Sequence, residues 1–179
     1  MSKAGALPGN AGALPPNPQI AESIHIRRAV SGDSDGVIRL LLQIADLHHK
    51  GRPDMFKAGS QKYTKDEFEA ILKDESRPVF VAVDESRNVL GYCFCIINRY
   101  ETHAVYRDHS SLYIDDFCVD ENCRGQGIGH TLFAAVKEYA DQIGAHDIDL
   151  NVWEFNEGAV KFYGSCGFAT RSRRMELIL

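Results

Sequence analysis

The hydrophobic positions of the chain change period several times, and each change marks an element. Ile24 and Ile26, with Ala29 and Val30 close behind, predict a first strand. Val37, Leu40, Leu41, Ile44 and Leu47 then recur at helical spacing and predict one helix with a single apolar face. The stretch 48–63 is polar and carries Gly51-Arg52-Pro53-Asp54, so a loop or broken helix is expected there. Thr64-x-x-Glu67 has the form of a capping box, opening a second helix that buries Phe68, Ile71 and Leu72. Residues 78–84 and 89–98 read as two strands of an antiparallel hairpin around the turn 85–88, and a third strand is expected over 111–119. A glycine-rich loop and a helix to about Ile143 follow, with Gly144 as its stop. Ile148, Leu150 and Val152 alternate with Asp147, Asp149 and Asn151, which predicts a strand with one apolar face. Asn156 is placed to cap a helix through Ala159, Phe162 and Tyr163, and 175–179 closes the chain as a last strand. The order is β-α-α-β-β-β-α-β-α-β, an α/β chain with a mixed, mostly antiparallel sheet flanked by helices.

Before Ile24 the pattern disappears. Ala4–Asn10 (AGALPGN) is nearly repeated by Ala11–Asn17 (AGALPPN), so 1–22 is expected to be a flexible low-complexity linker or an expression remnant. It has no continuous apolar core, so a signal peptide is not expected there. Residues 23–179 are then one folded domain, an ordinary size for a single core. Composition narrows the chemistry only a little. A formal net charge of −5 without a Lys/Arg cluster argues against nucleic acid, and no apolar run is long enough to span a membrane. The five cysteines (Cys93, Cys95, Cys118, Cys123, Cys166) are odd in number and mostly lie in apolar runs, which points to reduced thiols in a cytoplasmic protein. Cys93-x-Cys95 lacks a second pair, so no metal is expected.

The loop Cys123-Arg-Gly-Gln-Gly-Ile-Gly-His130 at a helix start suits an anionic phosphate, because glycines let backbone amides approach and the helix dipole favours negative charge. Asp149 stands where the ribose-binding acid of a dinucleotide site would lie, but His130 occupies the place of the last glycine, and too little chain follows for the repeated βαβ sheet. The Walker pattern fails as well, because His130-Thr131 supplies no lysine. Arg124-Gly-Gln-Gly127-Ile-Gly129 resembles the pyrophosphate-binding motif of GNAT-type N-acetyltransferases. Asn156-x-x-Ala159-x-x-Phe162-Tyr163 followed by Gly167-Phe168 resembles that family's second signature. The element order is the family's, and the likeness covers 24–179.

The resemblance implies a GNAT fold with acetyl-CoA as acyl donor. Its pyrophosphate would meet Arg124 and the backbone of Gly125, Gln126, Gly127, Ile128, Gly129 and His130. The strands before and after the loop would splay, letting the pantetheine arm pair with Phe117, Cys118 and Val119. Asn156 and Ala159 would complete the cofactor site. Tyr163 stands where the family's general acid often sits, and a phenol's ordinary pKa of about 10 suits protonation of a leaving thiolate. The competing role is packing beside Phe162. Ser111-Leu-Tyr-Ile-Asp-Asp-Phe-Cys-Val119 resembles the equivalent strand of polyamine acetyltransferases, with Asp115 in place of a Glu that relays the amine's proton. A hydrogen-bonded or solvated strand carboxylate is the alternative. Strand alternation puts Asp115 and Asp116 on opposite faces, so at most one is expected in the cleft. His49, Asp54 and Tyr63, in the stretch expected to hang over the acceptor side, are candidate substrate contacts, and Tyr106 and His109 have similar standing. Cys118 reads as core, since no base accompanies it. The implied function is acetyl transfer to a primary amine of a small molecule by direct attack in a ternary complex. The alternatives are a protein or peptide N-terminus or lysine as acceptor, and a non-catalytic coenzyme A binding module. A homodimer is compatible with the chain.

Overall fold

The structure, a computed structural model, describes residues 23–101, 104–105 and 107–178. The linker expected over 1–22 and the candidate Tyr106 lie outside the described residues.

Residues 23–151 belong to one compact unit. Its strands are β1 (Ile24–Arg28), β2 (Val79–Asp84), β3 (Val89–Tyr100), β4 (His109–Val119) and β5 (Asp147–Leu150), and they lie side by side in chain order. The first three pairings are antiparallel, and β4 pairs with β5 in parallel. The helices are α1 (Ser34–Gly51), α2 (Lys65–Ile71) and α3 (Ile128–Gln142), the last being the crossover that a parallel β4–β5 pair requires.

β2 explains how the sheet is covered. Val79 to Val83 are all buried, so both faces of this strand carry apolar layers. On one face Val79, Val81 and Val83 join Val37, Leu40 and Leu41 of α1, Phe68 and Ile71 of α2, and Tyr92, Phe94 and Cys118 of β3 and β4. On the other, α3 packs over the strands, with Tyr139 edge-on to Phe80 at 5.3 Å. The capping box forms as expected: Glu67 N–H donates to Thr64 Oγ1 (3.2 Å) and Thr64 N–H to the Glu67 carboxylate (2.8 Å). Gly144, at φ 68°, ends α3 in a Schellman turn, with Ala145 N–H donating to the Ala140 carbonyl at 2.9 Å.

One boundary differs from the expectation. α1 runs through His48, His49 and Lys50 to Gly51, where the pattern leaves a loop or a broken helix open. A formed helix adds a hydrogen bond per residue without needing an apolar side chain, and basic groups suit its C-terminal dipole. The helix stops at Arg52 (φ −144°, ψ 73°), because Pro53 disfavours helical geometry in the residue before it.

Residues 152–178 belong to a second compact unit. It contains α4 (Glu157–Ser165), capped by Asn156, whose Oδ1 accepts from Ala159 N–H at 3.1 Å. Gly167 at φ 94° and the bond from Phe168 N–H to the Tyr163 carbonyl (3.0 Å) form another Schellman stop. The last strand expected over 175–179 is absent among the described residues, since 169–178 hold no strand. Met175, Leu177 and Ile178 are strongly exposed. An alternating pattern specifies a strand only where a neighbouring backbone completes the ladder.

Candidate functional site

The site begins where the β4–β5 ladder ends. β5 pairs only with Ser111 to Ile114, so from Asp115 to Val119 this edge of β4 has no β5 partner. On its other edge β4 stays paired with β3, but Phe94 faces Asp116 while the next residue, Cys95, faces Ile114. Asp115 is therefore the extra residue of a β-bulge, and a bulge breaks the two-residue alternation of side chains. The consequence corrects the sequence expectation that at most one of the two acids faces the cleft. Both converge on one ammonium: Lys62 Nζ lies 2.9 Å from Asp115 Oδ1 and 3.9 Å from Asp116 Oδ2. It also donates to the Asp115 carbonyl at 2.7 Å.

A polar network surrounds this pair. The Tyr63 hydroxyl donates a short hydrogen bond to Asp115 Oδ2 and accepts one from Arg77 Nη2 at 2.8 Å. Burial and the neighbouring Asp115 hold the Tyr63 phenol protonated, its pKa well above the ordinary value. Tyr92, wholly buried, donates to Asp116 Oδ1 at 3.2 Å. Asp116 is only 9% exposed, and burial pushes its carboxyl up to about 6 despite Lys62 and the Tyr92 hydroxyl, which both pull it down. His48 lies near enough that burial and the Lys62 charge push its imidazole below the usual range, favouring the neutral ring.

The raised Asp116 has a measurable consequence. Its folded pKa lies above the ordinary value of about 3.9, so the folded chain holds this proton more tightly than the unfolded one. The contribution to stability is full below about pH 4 and is lost as pH rises through about 6. Denaturant unfolding at a series of pH values is expected to show a shallower fall across that window in Asp116→Asn than in the wild type.

The other expected substrate contacts are placed differently. His49 is on α1, and its Nδ1 bonds the Phe56 carbonyl at 2.7 Å, tying down the turn after the helix. Asp54 is exposed and pairs with Arg52 at 2.7 Å. His109 begins β4 and stacks on Tyr100 at 4.6 Å. Of these candidates only Tyr63 meets Asp115. Lys62, Arg77, Tyr92 and Asp116 escaped the sequence reading as site residues, since no local pattern marks a partner that arrives from another strand or loop.

The glycine loop lies at the end of β4. Asp120 Oδ1 accepts from Asn122 N–H (3.0 Å), and its carboxylate also takes a short bond from Arg39 on α1. Arg124 Nε and Gln43 Nε2 both donate to the Val119 carbonyl (3.2 and 3.3 Å), clamping the loop to the strand end. Gly125 and Gly127 stand at φ 75° and 86°, conformations that favour glycine, and Gly127 is the N-cap of α3. Among the described residues no atom crowds the Cβ position of Gly125, so backbone conformation decides that glycine. Arg124, Gly125 and Gln126 are exposed, while the Ile128 side chain is buried and anchors the helix start. No acidic side chain lies in the first turn of α3 to oppose an anion there. Cys118 is buried, and burial pushes its thiol up to about 12, away from the reactive thiolate form. Ile128 and Cys118 can thus serve a ligand only through their backbones.

In the second unit, the Asn156 side chain caps α4 through the Ala159 amide. Tyr163 packs edge-on to Phe168 at 5.5 Å and beside Phe162 at 5.2 Å. Among the described residues, no group of three or more His, Cys, Asp or Glu side chains is arranged to hold a metal, and no helix is long and apolar enough to cross a membrane.

The profile of the acetyltransferase (GNAT) family matches residues 42–168, which include the bulged strand, the loop and α4. The chain belongs to that family. As a GNAT protein it resembles a mutant BH1408 protein from Bacillus halodurans, whose crystal structure superimposes with a TM-score of 0.83 at 33% identity, covering 87% of this chain and 99% of the other. It is 25% identical over 154 residues to the thialysine N-ε-acetyltransferase of Bos taurus, covering 80% of this chain and 83% of that enzyme. It is 28% identical over 95 residues to YwnH of Bacillus subtilis (strain 168). That match takes in 53% of this chain and spans just over half, 55%, of the relative's length.

Proposed function

We propose that this GNAT protein transfers an acetyl group from acetyl-CoA to a primary amine of a small molecule, by direct attack in a ternary complex. The observation that carries this reading is the carboxylate pair at the β4 bulge, already holding an alkylammonium where the β4–β5 ladder opens. The bovine relative, a thialysine N-ε-acetyltransferase, is consistent with such an acceptor.

Acetyl-CoA supplies an activated thioester. Amides of Gly125 to His130 hold its pyrophosphate with Arg124 close by, and the open edge at Phe117, Cys118 and Val119 pairs with the pantetheine arm, one of its N–H groups polarising the thioester carbonyl. Asp115 takes the acceptor's proton, directly or through water. Tyr63, locked in its protonated form, positions that carboxylate rather than reacting. In the second unit, Asn156 shapes the start of α4 and Tyr163 donates a proton to the departing thiolate.

Thiol release from acetyl-CoA across polyamines, amino acids, amino sugars and short peptides tests the reading. Acceptor-dependent thiol is expected with a small primary amine. Coenzyme binding without thiol from any acceptor would leave a non-catalytic binding module instead, and turnover confined to peptides would move the acceptor to proteins. Tyr163→Phe is expected to lower turnover by more than about tenfold, the lower edge of what a general acid contributes being ~10². Wild-type turnover in that variant would reduce Tyr163 to packing against Phe162 and Phe168.

A further inference from the structure

We propose that Lys62 is a substrate of its own chain: when no external amine occupies the acid pair, acetyl-CoA acylates the Lys62 Nζ. Self-acetylation rests on the acetyl-transfer reading above and adds a modification site to it.

The Lys62 ammonium already makes the contacts that an acceptor amine needs. Its Nζ lies 2.9 Å from the Asp115 carboxylate, the group proposed to take the acceptor's proton, and 3.9 Å from Asp116. It donates to the Asp115 carbonyl, at the first residue of β4 beyond the β5 ladder and two positions before Phe117, where the proposed pantetheine track begins. The neighbouring cation is engaged differently: Arg77 donates to the Tyr63 hydroxyl. Lys62 is carried by a stretch without helix or strand, between α1 and α2, and its side chain is 40% exposed. It can therefore yield the acid pair to a competing amine and return to it afterwards.

The chemistry balances with acetyl-CoA as the only co-reactant. The ammonium gives one proton to Asp115, which passes it to solvent. The free amine's lone pair forms a bond to the thioester carbonyl carbon, and the carbon–sulfur bond breaks. The second proton lost by nitrogen is matched by the one that the thiolate gains. The products are N-acetyl-Lys62 and coenzyme A thiol. The new amide carries no charge, so Asp115 and Asp116 lose their counter-ion, and a later amine meets an acid pair without a resident cation.

The test is incubation of the purified full chain with acetyl-CoA alone, followed by peptide mass mapping. The expected result is one acetyl group at Lys62, formed at a rate per chain that does not change on dilution, as an intramolecular reaction requires. Spermidine, lysine or glucosamine, whichever the enzyme accepts, should slow it. Lys62→Arg should lose the modification, and Asp115→Asn should leave Lys62 unmodified. An unmodified Lys62 in a preparation that acetylates an external amine overturns self-acetylation and spares the enzymatic reading. Labelling of Lys62 no faster than Lys65 and Lys73, and equal in Asp115→Asn, also overturns it, as plain solution chemistry. No thiol from any amine and none at Lys62 brings down both.

Discussion

Asp115→Asn is expected to lower acceptor-dependent thiol release by about 10²- to 10⁴-fold, the range a positioned proton acceptor contributes. Asparagine keeps the shape of the side chain and a carbonyl oxygen for Tyr63, so the bulge survives. What disappears is the negative charge that holds the Lys62 ammonium and that is proposed to take the acceptor's proton. The loss is expected in kcat. Binding of acetyl-CoA should be unchanged, because the loop from Arg124 to His130 and the backbone of 117–119, proposed to hold it, are untouched. Steady-state rates beside coenzyme titration distinguish the two. Full turnover in the variant would return Asp115 to an ordinary strand carboxylate and shift attention to Asp116, whose proton affinity lies nearer neutral pH.

The largest structural effect is expected from Phe94→Ala. Phe94 is 1% exposed, and its ring meets Tyr92 at 5.2 Å, Phe68 at 5.9 Å and Tyr63 at 5.2 Å. Truncation removes the transfer energy of a buried aromatic ring and leaves a cavity, a loss of about 3–5 kcal/mol, and the aromatic pairs add to it. Phe94 is also the β3 residue facing Asp116, beside the bulge, and it supports the ring whose hydroxyl holds Asp115. Activity is therefore expected to fall under conditions where the variant is still fully folded. Urea unfolding and thiol release on the same preparation check both. Phe94→Leu, which keeps most of the volume, should recover most of the stability but less of the activity.

The sequence marks some of these features and is silent on others. The capping box at Thr64, the cap at Asn156 and the stop at Gly144 were legible, because each is closed by backbone within a few residues. The loop from Arg124 to Gly129 was legible for the same reason, since glycine is needed where φ is positive whatever lies around it. Two ends were not. α1 continues past its apolar face to Gly51, and 169–178 forms no strand despite an apolar pattern, because strand formation depends on a partner elsewhere.

The acid pair shows where local reading stops. From the sequence, Asp115 and Asp116 are neighbours on a strand and must point apart. The structure brings both to Lys62, because β4 carries one more residue than β3 opposite it. The hydrogen bonds that complete the cluster, from Lys62 and Tyr63 to Asp115, join residues 53 and 52 positions apart. The sequence by itself determined the helices, the first five strands and their order, since periodicity and caps act over a few residues, and its motifs resembled the family that the profile match shows. Only the tertiary structure decided the bulge, the convergence of both carboxylates on one lysine, and the raised pKa of Asp116. Those depend on strand register and on burial, which exist only once distant segments have packed together.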